Sequence, residues 1–224
     1  MAKRLILLAG NIGAGKTSLT ERISERLSWT SAYESVADNP YLPNFYADMK
    51  AWAFHLQIYF LGHRAEQHIH LANLPQSAIL DRSIYEDAHI FARALNHMGN
   101  LTDRDYHAYL HLYELIVENL PKPDLLIHLQ APVPVLLQRI RRRARSIESG
   151  IDEDYLALLE RFYQEWIKDF DLCPVLSIRS DDLDFVHQTK HLDIVVQRIS
   201  NLLAGREEMV FNRISFGKST IIGC

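Results

Sequence analysis

Leu5-Ile-Leu-Leu-Ala-Gly10-Asn-Ile-Gly-Ala-Gly15-Lys16-Thr17-Ser18 places two glycines around four residues and follows them with a lysine and a hydroxyl side chain. An apolar run of strand length enters this loop. An amphipathic pattern leaves it, with Leu19, Ile23 and Leu27 recurring at i, i+4 and i+8 to give one apolar stripe. Strand, glycine loop and helix are the context in which this spacing binds phosphate. The glycines let the backbone curl so that successive N–H groups converge on one phosphate, and the helix N-terminus adds partial positive charge. Gly10, Asn11, Ile12, Gly13, Ala14, Gly15, Lys16, Thr17 and Ser18 are therefore the expected donor-nucleotide loop. Lys16 would reach the β- and γ-phosphates, and the Thr17 hydroxyl would ligate Mg²⁺. From average residue usage, a chance match in such a chain is on the order of one per cent. Nucleotide binding alone does not fix a reaction, because GTPases, motor ATPases and small-molecule kinases share the loop.

Outward from the loop, short apolar runs at residues 5–9, 32–35, 78–81, 125–129 and 175–178 alternate with longer helical patterns. That alternation predicts an α/β fold with one five-stranded parallel sheet flanked by helices. One long helix is expected from Tyr46 to about Asn73, closed by Pro75, and another from about Thr102 to Asn119, ended by Pro121 and Pro123. Leu156, Leu159, Phe162 and Trp166 form the apolar stripe of a further helix, and a helical run ends near Leu203. Residues 1–204 read as one domain; residues 205–224 show no clean period and read as a tail without an assigned role.

The chain has 224 residues, 48% hydrophobic and 23% charged, which suits a globular protein rather than a disordered or repetitive one. Lys and Arg total 24 against 28 Asp and Glu, for a formal charge of −4, so a nucleic-acid partner is not expected. Two cysteines, Cys173 and Cys224, are too few for a disulfide framework or a four-thiolate zinc site and suit a reducing compartment. Lys3 and Arg4 before Leu5 faintly mimic a secretory signal, but the apolar run is short and enters the glycine loop. No run of residues is long enough to span a bilayer, so a cytoplasmic protein is expected.

Asp81 ends the third expected strand and is followed by Arg82. Ligands of open α/β sheets sit beyond the carboxyl ends of strands, which would bring Asp81 toward the metal and Arg82 toward the transferring phosphoryl group. Glu34 stands at the end of the second expected strand, at the same edge of the sheet. A sugar hydroxyl is a poor nucleophile at neutral pH and gains from a carboxylate that takes its proton, whereas a phosphate acceptor is already anionic. Glu34 thus favours a hydroxyl acceptor. Arg139, Arg141, Arg142, Arg143 and Arg145 form a guanidinium-rich cluster at helical spacing, suited to phosphate oxygens. Tyr46, Gln57 and Arg64 are separated by eleven and seven residues, close to whole turns at about 3.6 residues per turn, and are expected on one stripe. The Gln57 carboxamide both donates and accepts, which is how a base edge is read, with Trp52 and Phe60 as flat walls or core.

These residues resemble the deoxynucleoside kinase family, especially bacterial deoxyadenosine and deoxyguanosine kinases and the related deoxycytidine kinases. The resemblance covers about residues 5–204. It rests on Gly10 to Ser18, Tyr33-Glu-Ser-Val36, Asn39-Pro-Tyr-Leu-Pro43 leading to Leu56-Gln57, Asp81-Arg-Ser-Ile-Tyr-Glu-Asp87 with Ile90-Phe-Ala92, and Arg143-Ala-Arg-Ser-Ile-Glu148. It implies a P-loop kinase fold with an Arg-rich lid, ATP and Mg²⁺, a deoxynucleoside acceptor phosphorylated at its 5′-hydroxyl in nucleotide salvage, and a homodimer. By the resemblance, Glu34 is the general base and Arg82 steadies the attacking oxygen and the transferred group. Asp81 stands near Mg²⁺. Tyr46 and Glu148 hold the sugar 3′-hydroxyl, and Gln57, Arg64 and Asp87 read the base. Arg139, Arg143 and Arg145 match the lid, and Asp184-Phe185 the loop that recognises the donor base. Ser35 replaces the proline usual after the base, and Ile147 stands where many relatives have a first glutamate. The Arg64–Asp87 combination favours purines, since guanidinium donors meet O6 and N7 of guanine, with cytosine as the alternative.

Two other readings compete. A thymidylate-type nucleoside monophosphate kinase also follows its third strand with Asp-Arg but would not need Glu34. A silent nucleotide-binding scaffold would not need Lys16, Glu34, Asp81 and Arg82 together. Among eleven histidines, His107 and His111 with Glu114 could form a zinc face, but a packed or interfacial helix face is the expectation.

Overall fold

Every residue of β1 (Leu5–Gly10) is buried, as an apolar run must be when helices cover both faces of a parallel sheet. The structure is a computed structural model and describes residues 3–33, 39–145, 148 and 150–205. β1 is central in five parallel strands ordered β2-β3-β1-β4-β5. The others are β2 (Thr30–Ala32), β3 (Ala78–Asp81), β4 (Leu125–Gln130) and β5 (Val175–Arg179). Strand order reverses at β1, so the loop at its carboxyl end opens into the crevice where such sheets bind ligands.

Four strands lie where the apolar runs predict them, to within one residue. The second does not. It spans Thr30–Ala32 and pairs from Thr30↔Ala78 to Ala32↔Leu80. The Thr30 N–H donates to Ser77 O at 3.1 Å and Gln76 Nε2 to Thr30 Oγ1 at 2.8 Å, which pins this edge strand early. The expected extension of this strand to residue 35 reaches residues 34–38, Glu34 among them, which lie outside the described residues.

Alternation along the strands feeds two cores. Leu5, Leu7, Leu80 and Leu126 pack on one face with the helical residues Leu56, Leu95, Tyr109 and Leu159, and Ile6, Leu8, Ile79 and Ile127 on the other with Leu19, Leu136 and Val195. α1 (Lys16–Leu27) completely buries Leu19 and Ile23, each contributing roughly 1.5–3 kcal/mol of transfer free energy.

The single long helix expected from Tyr46 is two helices, α2 (Leu42–Ala47) and α3 (Met49–Asn73). Asp48 breaks the path with extended backbone, and its carboxylate accepts from Ala51 N at 3.1 Å as the N-cap of α3. Tyr46 consequently leaves the Gln57–Arg64 stripe; it is 45% exposed, against 3% and 1% for the other two.

After β3, α4 (Ile84–Glu86) passes through a π turn (Asp87–Ala92) into α5 (Arg93–His97). Next come α6 (Asp103–Val117), N-capped by Thr102, and α7 (Val133–Arg143). α8 (Glu153–Asp169) buries the expected Leu156, Leu159, Phe162 and Trp166, and α9 (Thr189–Leu203) closes the chain path. Most of the tail, residues 206–224, lies outside the described residues. Among the described residues no helix is long and apolar enough to cross a membrane.

Candidate active site

The phosphate loop forms as its glycines dictate. Gly10 takes φ 150, and a Cβ there would stand 2.5 Å from Leu129 O, so only glycine fits against β4. Gly15 takes φ 99 as the N-cap of α1, Ala14 is buried, and Ile12, Gly13 and Ser18 are half-buried. Asn11 braces the turn by accepting from Ile12 N at 2.8 Å and donating to Leu156 O at 3.0 Å. The Lys16 ammonium curls into the loop and donates to Gly10 O at 2.7 Å and Asn11 O at 3.1 Å.

Thr17 Oγ1 donates to Asp81 Oδ2 at 2.6 Å, so the end of β3 meets the start of α1. Asp81 Oδ1 is buried with no hydrogen-bond partner among the described residues. A hydroxyl oxygen beside a carboxylate with an unsatisfied oxygen is a donor set that suits a hard divalent cation such as Mg²⁺.

Arg82 follows at φ 71, a left-handed backbone that costs an arginine roughly 1–2 kcal/mol. Its neighbours hold it there. Arg82 N donates to Leu8 O at 3.0 Å, and Ser83 N to Glu86 Oε2 at 2.9 Å. The guanidinium lies over the Phe91 ring, 4.3 Å from its centroid. Burial pushes the Tyr155 hydroxyl up to about 12, with nearby Arg82 opposing, so it stays protonated.

Gln57 and Arg64 project inward from α3, and Arg64 makes a buried ion pair with Asp87 at the start of the π turn. The Arg64 guanidinium stands 5.1 Å from the Phe60 ring centroid. Gln57 Oε1 is buried without a hydrogen-bond partner among the described residues. Trp52 and Phe60 are half-buried against the core.

The arginine cluster divides. Arg139 donates to Ser180 Oγ at 2.9 Å, Ser180 O at 2.8 Å and Ala14 O at 3.3 Å, tying α7 to the end of β5 and to the phosphate loop; burial lowers its pKa from the ordinary value. Arg143 instead pairs with Glu148, Nε to Oε2 at 3.1 Å, and Arg145 stands 3.8 Å from the same carboxylate. Arg143, Arg145 and Glu148 thus come together, while Arg139 belongs to the loop. Phe185 is buried, its ring 3.5 Å from where a side chain at Gly15 would begin. Asp184 accepts from His187 N at 3.0 Å, which holds its carboxyl below the usual range.

Two residues escaped the sequence reading. Glu86 is fully buried; its Oε1 accepts from Gly10 N at 3.2 Å and from Tyr163 OH at 2.6 Å. The signal for Glu86 was present, since Ser83-Ile-Tyr-Glu86 has capping-box spacing and forms that box. Tyr163 carries no such mark within the apolar pattern of α8.

Comparison with known proteins agrees with this geometry. The family model described as deoxynucleoside kinase matches residues 6–204. The deoxyadenosine/deoxycytidine kinase of Bacillus subtilis (strain 168) is 36% identical over 201 residues, covering 89% of this chain and 93% of that protein. The deoxyguanosine kinase of Lactobacillus acidophilus is 39% identical over 211 residues, covering 89% and 90%. Among solved structures, M. mycoides deoxyadenosine kinase with bound dATP matches with a TM-score of 0.75 and 31% identity, covering 88% of this chain and 99% of the other. A phosphate loop, an Asp-Arg strand end and this likeness over nine-tenths of the chain have one explanation: the chain belongs to the deoxynucleoside kinase family.

Proposed function

We propose that this enzyme transfers the γ-phosphoryl group of ATP to the 5′-hydroxyl of a purine deoxynucleoside, with Mg²⁺, as a step of nucleotide salvage in the cytoplasm. The observation that carries the reading is the Thr17–Asp81 pair at the mouth of the phosphate loop, one residue before the constrained Arg82. Glu34 takes the proton of the 5′-hydroxyl as that oxygen attacks the γ-phosphorus and the bond to the β-phosphate oxygen breaks, leaving ADP. Lys16 and the loop N–H groups hold the phosphates, and Arg82 steadies the charge on the transferred group. Thr17 and Asp81 would hold Mg²⁺, which neutralises phosphate charge. Arg143 and Arg145 close over the donor, and Asp184 and Phe185 flank its base. Glu148 and Tyr46 orient the 3′-hydroxyl. Gln57, Arg64 and Asp87 read the base, and the buried Arg64–Asp87 pair supports a purine because guanidinium donors match O6 and N7.

The enzyme works as a homodimer. Gly62 stands exposed in the interior of α3 with nothing within 4 Å of where its Cβ would be, although glycine costs a helix about 1 kcal/mol. Close approach of another backbone accounts for it. Ile69, one heptad on, is 45% exposed, and Leu112 and Leu115 on the adjoining α6 are 42% and 50% exposed.

The test is a radiolabelled-ATP assay over the four deoxynucleosides, their ribose counterparts and the monophosphates. Deoxyadenosine or deoxyguanosine is expected to be the best acceptor; preference for a monophosphate would give the reaction to a thymidylate-type kinase. Glu34→Gln should lower kcat by about 10² or more with little change in ATP binding, the usual worth of general-base catalysis.

A further inference from the structure

Glu86 is wholly buried, yet it stands behind the phosphate loop rather than in it. Its two oxygens divide their work. Oε1 accepts from the N–H of Gly10, the first loop glycine, at 3.2 Å, and from Tyr163 OH at 2.6 Å. Oε2 accepts from Ser83 N at 2.9 Å and Ser83 Oγ at 3.4 Å. One carboxylate therefore joins the donor loop to the residue that follows Arg82. Tyr163 OH also lies 2.8 Å from Gly10 O, the carbonyl that accepts from Lys16; with one proton to give, it donates to the nearer Glu86. Burial, and then the Glu86 charge, raises the Tyr163 pKa well above its ordinary value, so that proton stays in place.

A left-handed arginine is tolerated only where surrounding bonds over-determine it. At Arg82 those bonds are the Leu8 carbonyl on one side and Glu86, through Ser83 N, on the other. The same carboxylate fixes Gly10, whose carbonyl sets one end of the Lys16 ammonium. Lys16 and Arg82 reach the reacting phosphoryl group from two different loops; the β1–β3 ladder, with Leu8 opposite Asp81 and Arg82 N bonded to Leu8 O, aligns the strand ends but does not extend to join Gly10 to Ser83. Glu86 joins them.

We infer that Glu86, held by Tyr163, is a positioning residue that ties the phosphate loop to the Arg82 turn beyond the end of the β1–β3 ladder, holding in register the two cations that act on the transferred phosphoryl group. The inference rests on the family's phosphoryl transfer and is independent of base preference. It makes Glu86 and Tyr163 matter to the chemical step and little to binding, since both side chains are wholly buried. The neighbouring Asp87, about 100° further round the helix, pairs with Arg64 instead, so adjacent carboxylates serve separate sites.

The test is steady-state kinetics, with ATP and the best deoxynucleoside each varied, on Glu86→Gln and Tyr163→Phe. The glutamine keeps one acceptor oxygen and turns an NH₂ toward donors, so either Gly10 N–H or Ser83 N–H loses its partner. Glu86→Gln is expected to lower kcat about tenfold or more, the scale on which small misplacements of reacting groups act, with both KM values changed less than about threefold. Tyr163→Phe should give a smaller fall in kcat, and the double variant should be no worse than Glu86→Gln alone. A kcat within twofold of the parent, or a loss carried by KM, overturns the inference. A packing role alone would lower the melting temperature without that split. Should Glu86→Gln not fold, Tyr163→Phe decides: lowered kcat at constant KM supports the inference, and unchanged kcat ends it.

Discussion

His128 on β4 is buried with both ring nitrogens lacking hydrogen-bond partners among the described residues. Its ring stacks on Tyr163, 5.6 Å between centroids and 20° between planes. Burial first, and the Lys16 charge second, push its pKa down to about 3. A neutral His128 leaves Lys16 without a second cation behind it, which suits a lysine meant for phosphates. The linkage has a definite sign. The unfolded histidine titrates near 6.5, so below that pH the unfolded chain binds a proton that the folded chain refuses, and stability falls by about 1.4 kcal/mol per pH unit until the folded pKa is reached. His128→Phe should remove that contribution and also the unmet polar atoms. Urea midpoints from pH 8 to pH 5 should be higher for the variant and fall less steeply; equal slopes would exclude His128 as a source of acid sensitivity. Nothing in Leu-Leu-Ile-His-Leu-Gln distinguishes this histidine from one facing solvent, because strand alternation assigns a face but not the neighbours on it.

Four strands were legible because each is a short, mainly apolar run beside glycine, proline or charge, and the loop because its glycine and lysine spacing is specific. β2 and the α2–α3 break were not. β2 is an edge strand of three residues with no apolar run, fixed by the Thr30 contacts with Ser77 and Gln76. The break depends on Asp48 acting as a cap within a sequence whose helical period continues through it. The same limit applied at the candidate site. Residues contributed by one motif, such as Gly10 to Thr17 or Asp81-Arg82, were readable, whereas Tyr163 meets Glu86 only through tertiary packing. Asp48→Ala tests the cap. Losing its bond to Ala51 N should cost about 1 kcal/mol, the usual worth of an N-cap. It should also raise KM for the deoxynucleoside, because α2 carries Tyr46, while KM for ATP stays constant. Unchanged acceptor KM would separate α2 from the sugar site.

α3 faces two ways. Gln57 and Arg64 point inward from a helix whose exposed face carries Gly62 and Ile69, seven residues apart and so on one stripe. α6 packs against α3 and exposes Leu112 and Leu115. In a dimer built on these helices, the element proposed to read the base would also be buttressed by the partner, and assembly and acceptor recognition would become linked. Arg64 holds its place through Asp87 and Phe60, both within the same chain, so dissociation should loosen α3 without dismantling the Arg64–Asp87 cluster. Ile69→Glu with Leu115→Glu is therefore expected to shift the light-scattering mass from twice 25.9 kDa to that of a single chain. The acceptor KM should rise several-fold, with kcat and the KM for ATP close to the parent values, since the phosphate loop and Arg82 follow β1 and β3 rather than lying on α3. A parent protein already monomeric at micromolar concentration would exclude the α3–α6 face as a dimer interface. A monomeric variant with unchanged acceptor KM would leave the dimer intact as a proposal and remove its coupling to the site.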